Sequence, residues 1–277
     1  MRHLMIFVLL SLVATPSPSW GAKAKKSGSQ KSGAQKPGLS IGDAIHKLQS
    51  PNPEEVMYAV QVLAASGSRR AAGPLADLLR TGPRNDVTNS IIQALGSIGD
   101  VKSIPILIEY LGHRRPDTRV ASIWALESFD DQRVTTALEN ALRDSDSQVR
   151  STAALALGKR GKAASVPILF LAFDRGVTDS AISIGQLGTP ADAKRLAGYL
   201  GRSDVRILLP GFDEFLRRAD FPAASKLEIL NQLFELAGPE VRRFAVAYKA
   251  SFPPDTKADN NKLYKMVSRM VRQIQED

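Results

Sequence analysis

Apolar positions between residues 50 and 200 recur at the spacing of a helix, and Gly, Asp or Pro interrupts the pattern at regular intervals. In residues 144–171, one apolar run ends in Ala-Leu-Gly and a second run follows Pro167. Asp144 or Asp146 is placed to cap the first run, and Gly161 marks the turn. Pro167 suits the opening turn of a second helix, so the stretch predicts a helical hairpin.

The same unit recurs five times in register. Each unit has an apolar anchor in its first run, a leucine 12 residues later and a third apolar residue four positions further on. The first anchors are Leu63, Leu95, Leu126, Leu157 and Ile184; the second are Leu75, Leu107, Leu138, Leu169 and Leu196; the third are Leu79, Leu111, Leu142, Phe173 and Leu200. Because a single hairpin has apolar faces on both sides, neighbouring units must stack to bury them. We therefore expect an all-α, right-handed α-α superhelix, a solenoid of five to six helical hairpins with C-terminal capping helices.

These units resemble the HEAT-repeat family, in particular its short form in phycobilin lyases and many bacterial proteins. That pattern runs from Asp through Val-Arg to Ala-x-x-Ala-Leu-Gly and later Pro-x-Leu. Residues 144–169 match it closely, 86–107 match it well, and 117–131 match it without the Gly and Pro. The resemblance is strongest over 84–173 and implies a HEAT- or armadillo-like solenoid over 40–236.

The resemblance also implies a role for two arginines. Arg119 and Arg150 fall seven residues before their anchors, where the family has an Arg that pairs with Asp of an adjacent repeat. Val56, Thr88 and Val177 stand at the equivalent positions of the other units, so we expect a short ladder of such pairs.

The C-terminal part departs from the repeat pattern. Pro210 and Gly211 are expected to interrupt a helix that begins near the Asp-Val-Arg at 204–206. Residues 237–277 are predicted to form divergent capping helices, and the last helix carries an apolar stripe. The stripe consists of Leu263, Met266, Val267, Met270, Val271 and Ile274. The alternative is a docking or dimerising helix flanked by Lys262, Lys265, Arg269 and Arg272.

The N-terminus has the features of a secretory signal peptide. Arg2 precedes an apolar run from Leu4 to Ala14 that is too short to span a bilayer as a helix, and small residues follow it. We predict a signal peptide over 1–21, with cleavage after Gly21 or as late as Ala24. The alternatives are a hydrophobic first helix and an uncleaved anchor. Export would place the protein in the periplasm or cell envelope of a bacterium, or outside the cell.

Residues 22–39 form a predicted flexible linker rich in Lys, Gly and Ser, since they contain almost no large apolar side chain. The chain carries a net charge of +9, but Arg2 and five linker lysines supply much of it. Without these six, 31 basic residues remain against 28 acidic ones, a difference of three. A solvated tether explains the lysines; the alternative is contact with anionic lipid, cell-wall polymer or nucleic acid.

Residues with catalytic or metal-binding chemistry are few. The chain has no cysteine, which excludes disulfides and thiolate chemistry, and His46 and His113 lie in different units. Asp130 and Asp131 lie at an inter-helix turn, where capping explains them better than acid–base catalysis. Neither a nucleophile-elbow sequence nor a phosphate-binding glycine loop is present. We expect a non-enzymatic protein without cofactor or metal.

Binding would then use the concave side, which the second helices line in solenoids of this kind. Outward-pointing positions and partly exposed aromatic residues are the candidates for partner binding. They are Glu109, Tyr110, Trp124, Asn140, Arg143, Phe170, Arg195 and Tyr199. For Tyr110 and Tyr199, inter-repeat packing is an equal alternative.

The leading hypothesis is an exported scaffold that binds a partner protein, whose identity and stoichiometry the sequence does not specify. The alternative is a nucleic-acid-binding HEAT-like protein, which the small charge of the body argues against. A third, implied by the resemblance, is a protein similar to the chromophore lyases.

Overall fold

The computed structural model describes residues 39–253 and 261–274. The predicted signal peptide lies outside these residues, as does the predicted linker except for Leu39. Helices and turns make up the described part, and it contains no strand.

The described part contains fifteen α-helices. They are α1 (Ile41–Lys47), α2 (Pro53–Ser66), α3 (Ala72–Arg80), α4 (Asn85–Ile98), α5 (Ile104–Glu109), α6 (Pro116–Glu127), α7 (Gln132–Ala141), α8 (Ser147–Lys159), α9 (Val166–Asp174), α10 (Ser180–Leu187), α11 (Pro190–Ala197), α12 (Val205–Arg217), α13 (Ala223–Leu236), α14 (Pro239–Ala250) and α15 (Lys262–Gln273). Short 3-10 turns at Arg69–Ala71, Val101–Ser103 and Ala163–Ser165 lead into α3, α5 and α9, and Tyr110–Gly112 follows α5.

From α2 onward the helices form seven consecutive pairs. The even-numbered helices, here called first helices, pack on one another in sequence from α2 to α14. The odd-numbered second helices form the other layer, and α3, α5, α7 and α9 each pack against the first helix of the following pair. Helix α1 packs on α2 at the N-terminal end. This all-α solenoid confirms the predicted fold class, and its last two pairs continue the stack beyond the five units found in the sequence.

The leucine columns form the core. All five first anchors and all five second anchors are fully buried, and three of the five third anchors are also buried. Glycines mark the hairpin turns, as the sequence predicts for Gly161. Gly67, Gly99 and Gly161 adopt left-handed φ values of 59°, 66° and 68°. Asp146 caps α8 by accepting from the backbone amides of Gln148 and Val149. Register and turn positions are therefore confirmed.

First helices approach one another through small residues. A Cβ added at Gly96 would lie 2.7 Å from Ala125 Cα, and one at Gly185 would lie 2.2 Å from the carbonyl oxygen of Gly211. A Cβ at Gly211 would lie 2.4 Å from the carbonyl oxygen of Ala181. The backbones of α10 and α12 are thus in direct contact, and this contact requires glycine.

Helix α12 runs without a break through Pro210 and Gly211, so the predicted interruption is wrong. Proline removes one backbone hydrogen bond and has low helix propensity. That local cost is outweighed because α12 buries Leu208, Phe212 and Phe215 completely while its backbone packs on α10. Tertiary packing decides the conformation here.

The apolar stripe of α15 faces the chain itself. Val267 and Met270 are fully buried and Ile274 nearly so, and α15 packs against α13 and α14. Asn261 caps the helix by accepting from the amides of Leu263 and Tyr264. This packing is what a capping helix requires, because the stripe closes the end of the second-helix layer.

Candidate binding surface on the second helices

Two columns of equivalent positions, on the second helices or in the turns directly after them, are exposed in each of the first four units. They lie two and five residues after each second anchor, on the side of the helix that faces away from the buried anchors. We call these eight residues the second-helix surface: Asp77, Glu109, Asn140, Leu171, Arg80, Gly112, Arg143 and Asp174.

The polar side chains at the centre of this surface are available for a ligand. Asp77 and Arg80 pair with each other at 2.6 Å. By contrast, the side chains of Glu109, Asn140 and Arg143 make no hydrogen bond or ion pair with any residue in 39–253 or 261–274. Glu109 also lines an open groove of about 450 Å³ with His113. Three predicted residues are therefore exposed as expected.

Leu171 is the main residue that the sequence analysis missed. Its side chain is 49% exposed, and it lines a shallow cleft together with Arg143 and Arg175. It stands in the same column as Glu109 and Asn140, so the repeat alignment contained the signal. An exposed leucine between two arginines gives the surface an apolar contact with basic flanks.

Phe170, expected to point outward, is fully buried. It lies one residue after the anchor, and that position faces the second helix of the next unit. The guanidinium of Arg195, on that next helix, lies 3.9 Å from the centre of the Phe170 ring. The pair is a cation–π contact between repeats, so the prediction of Phe170 as a surface residue is wrong.

Tyr110 and Tyr199 are inter-repeat packing residues, as the alternative interpretation proposed. The hydroxyl of Tyr110 donates to the carbonyl oxygen of Leu79 at 2.6 Å, and that of Tyr199 donates to Asp174 at 2.5 Å. Burial raises the pKa of both hydroxyls; the nearby Glu109 carboxylate adds to the effect at Tyr110, and the hydrogen bond to Asp174 adds to it at Tyr199. Each tyrosine joins its own unit to the preceding one.

Trp124 is 58% exposed, but it lies on first helix α6. The two helix layers present different surfaces, so Trp124 does not belong to the second-helix surface. Its exposure confirms the expectation that this aromatic residue is at least partly exposed.

Of the two arginines for which the resemblance implies a pair with Asp, only Arg119 forms one within the described residues. Arg119 binds Asp144 through two hydrogen bonds of 2.8 and 2.6 Å and also donates to the carbonyl oxygen of His113. Arg150 donates to the carbonyl oxygens of Asp144 and Ser145 and forms no ion pair within the described residues. Both arginines are structural.

Two further arginines, which the sequence analysis did not single out, act in the same way. Arg160 donates to the carbonyl oxygens of Phe129 and Asp131, which lie in the turn between α6 and α7 of the preceding unit. Arg218 donates to the carbonyl oxygens of Gly185 and Gly188, about one repeat earlier. Arg160 lies three residues after the anchor Leu157. The equivalent positions of the other four units hold Ser66, Ile98, Phe129 and Leu187, so the spacing alone did not predict the role of Arg160.

The candidate catalytic residues have structural roles. Asp131 caps α7 and pairs with Arg133, which lowers the pKa of its carboxyl, and Asp130 pairs with Lys162. His113 stacks on Tyr110 and accepts from the amide of Arg115. Among the described residues, no group of three His, Asp or Glu side chains is arranged to hold a metal. None of the described helices is long and apolar enough to cross a bilayer.

A known family of repeat sequences matches the repeat region of this chain. A family model described as HEAT repeats matches residues 43–118 and 104–182. Among solved structures, the chain is similar to the complex of CpcE and CpcF of phycocyanin lyase from a Nostoc species, with 19% identity, 90% of this chain and 100% of that chain covered, and a TM-score of 0.48. It is also similar to two engineered proteins, each at 14% identity. For the first, 85% of this chain and 68% of that chain are covered, with a TM-score of 0.43. For the second, 84% of this chain and 96% of that chain are covered, with a TM-score of 0.36. No curated protein matches the sequence.

Proposed function

The chain belongs to the HEAT-repeat family, and we propose that it is a non-enzymatic scaffold that binds a partner protein on its second-helix surface. The observation that carries this proposal is the pair of exposed columns running through four units. Most of the other conspicuous side chains, including Tyr110, Phe170, Arg119 and Arg160, contact neighbouring repeats instead. In solenoids, a continuous repeated surface of this kind serves binding.

The chemistry of the surface suggests the partner's complementary features. Leu171 offers an apolar contact, while Arg143 and Arg175 flank it and Asn140 offers both a donor and an acceptor. A partner segment with an apolar side chain next to acidic groups would fit this arrangement. Arginines at the edge of an apolar contact are common in protein interfaces.

A charge substitution at the apolar contact tests the proposal. Leu171→Asp should weaken partner binding by about tenfold or more, because it places a carboxylate at the centre of the interface. Val246→Asp is the matched control, since Val246 is 44% exposed but lies on first helix α14. The measurement is the affinity of each purified variant for the partner recovered by cross-linking from the cell envelope. Equal affinities for both variants would contradict the proposed surface.

The same preparations distinguish nucleic-acid binding. A protein that contacts phosphates loses affinity steeply as salt rises. Binding to duplex or single-stranded DNA at low salt, abolished by moderate salt and unaffected by Leu171→Asp, would favour that alternative over a protein partner.

Export is part of the proposal and rests on the sequence of residues 1–24. The mature protein should begin at Ala22 or Lys25, depending on the cleavage site, and should fractionate with the periplasm or the medium. Mass spectrometry of the N-terminal peptide decides this. Recovery of the intact N-terminus from the cytoplasm would contradict export without affecting the binding surface.

A further inference from the structure

The position one residue after each second anchor controls the space between successive second helices. Ile108, Glu139 and Phe170 fill this position in units two to four, and the first unit has Ala76. Beside Ala76, and next to Gly73, lies a cavity of about 250 Å³ between α3 and the turn that leads into α5. The small side chains of the first unit therefore leave room at the position that bulkier residues occupy in units two to four.

A buried hydroxyl borders this cavity. Ser103 is 1% exposed, and its Oγ has no hydrogen-bond partner within the part of the chain that the structure describes. The equivalent serine two units later, Ser165, donates to the Glu139 carboxylate at 2.8 Å. Glu139 is itself the equivalent of Ala76. The repeat thus shows which group satisfies this serine elsewhere, namely a carboxylate at the position that Ala76 leaves open.

The charges around the cavity favour the same group. Arg69, Arg80 and Lys102 line it together with two aspartates. Asp77 is already paired with Arg80, and Asp100 accepts from the backbone amide of Lys102. The side chains of Arg69 and Lys102 form no ion pair with any described residue. The lining therefore has two cations outside any ion pair against one such carboxylate, Asp100, and they lie beside a hydroxyl that lacks an acceptor.

We propose that this cavity binds a carboxylate, which the partner protein supplies as an Asp or Glu side chain. The carboxylate accepts a hydrogen bond from Ser103 Oγ and lies between Arg69 and Lys102, where charge-assisted contacts are strong. The cavity is lined in part by Asp77 and Arg80 of the second-helix surface. The inference rests on the proposed function and adds a specific acidic contact to it.

Two probes test the site on the full chain, purified as the cell produces it. The first is glutarate; the second is a blocked pentapeptide with a central Glu, compared with the same peptide carrying Gln. Calorimetric titration should show binding of the Glu peptide at least tenfold tighter than of the Gln peptide. Binding of glutarate as well would show that a free carboxylate suffices, and binding of the peptide alone would assign the site to protein ligands. Absence of binding by both carboxylate probes would overturn the proposal and leave water as the occupant.

Three variants locate the binding. Ala76→Glu supplies the carboxylate from within the chain, as Glu139 does, so it should abolish probe binding and raise Tm by about 2 °C. Arg69→Ala combined with Lys102→Ala alters only exposed side chains and should weaken binding at least tenfold. Arg84→Ala, an exposed arginine paired with Asp86, is the matched control and should bind normally.

Failure of this site is distinguishable from failure of the proposed function. Probe binding that persists in both Ala76→Glu and the double variant would overturn the carboxylate site. If Leu171→Asp still weakens partner binding in those variants, the proposed binding on the second-helix surface stands even though the carboxylate site fails.

Discussion

At the scale of single residues, ion pairs differ in importance according to burial. Arg119 and Asp144 are both largely buried, with side chains 9% and 13% exposed. They form a bidentate salt bridge. The other described pairs are more exposed, and in the pair of Arg84 with Asp86 both side chains are more than half exposed. Water and salt screen exposed pairs, so they contribute little to stability.

Asp144→Ala should therefore lower the free energy of unfolding by about 3–5 kcal/mol, because it leaves the Arg119 guanidinium buried without a counter-charge. Asp86→Ala, the matched exposed control, should cost less than about 1 kcal/mol. Urea denaturation followed by circular dichroism measures both. Similar losses for the two variants would show that Arg119 does not depend on its partner.

A second residue-scale prediction concerns pH. Burial raises the pKa of Tyr248 to about 12, an effect that Asp213 increases and Arg217 opposes, and its hydroxyl donates to the carbonyl oxygen of Leu216. A tyrosine pKa raised in the folded state contributes stability that is fully present below the unfolded value near 10 and is lost as pH rises towards 12.

Between pH 9 and 12 the wild type should lose about 2–3 kcal/mol more stability than Tyr248→Phe, which cannot ionise at this position. Guanidinium denaturation of both proteins at each pH measures the difference, and the shared titration of other groups cancels. Parallel stability curves would contradict the assigned burial effect.

At the scale of helices, contact between first helices depends on the absence of side chains. Gly185→Ala should destabilise the protein by about 1–3 kcal/mol, because the new methyl group collides with the Gly211 carbonyl oxygen of α12. Gly73→Ala, in α3, meets no atom within 4 Å and should gain up to about 1 kcal/mol from helix propensity. Thermal unfolding of the two variants should shift Tm in opposite directions. A stabilised Gly185→Ala would show that α10 and α12 are further apart.

The sequence predicted the helical units well because matched anchors repeat in register. The prediction of surface residues failed where a buried and an exposed position are neighbours on the same helix. Phe170 is buried while Leu171 is exposed, and side-chain type alone favours neither order. The helix prediction failed at Pro210, because local propensity carries no information about the backbone of α10. The Ala76 cavity required knowing which side chain fills the equivalent position in a later unit.

At the scale of the molecule, the stack explains why the most conspicuous side chains serve packing. Each unit contacts mainly its neighbours, so every interface between units needs its own set of buried contacts. Tyr110, Arg119, Arg160, Phe170 and Arg218 each supply one. The proposed binding surface uses the outward columns, where residues of the first four units vary in charge and polarity while the fold is maintained.

Site-specific photo-cross-linking tests the binding surface most directly. A photoreactive amino acid placed at Asn140, in the exposed column of the second helices, should form a cross-link to a discrete partner in the native envelope. The same residue placed at Trp124, which is also exposed but lies on the first-helix layer, should form none. A partner captured from Trp124 and not from Asn140 would contradict the account.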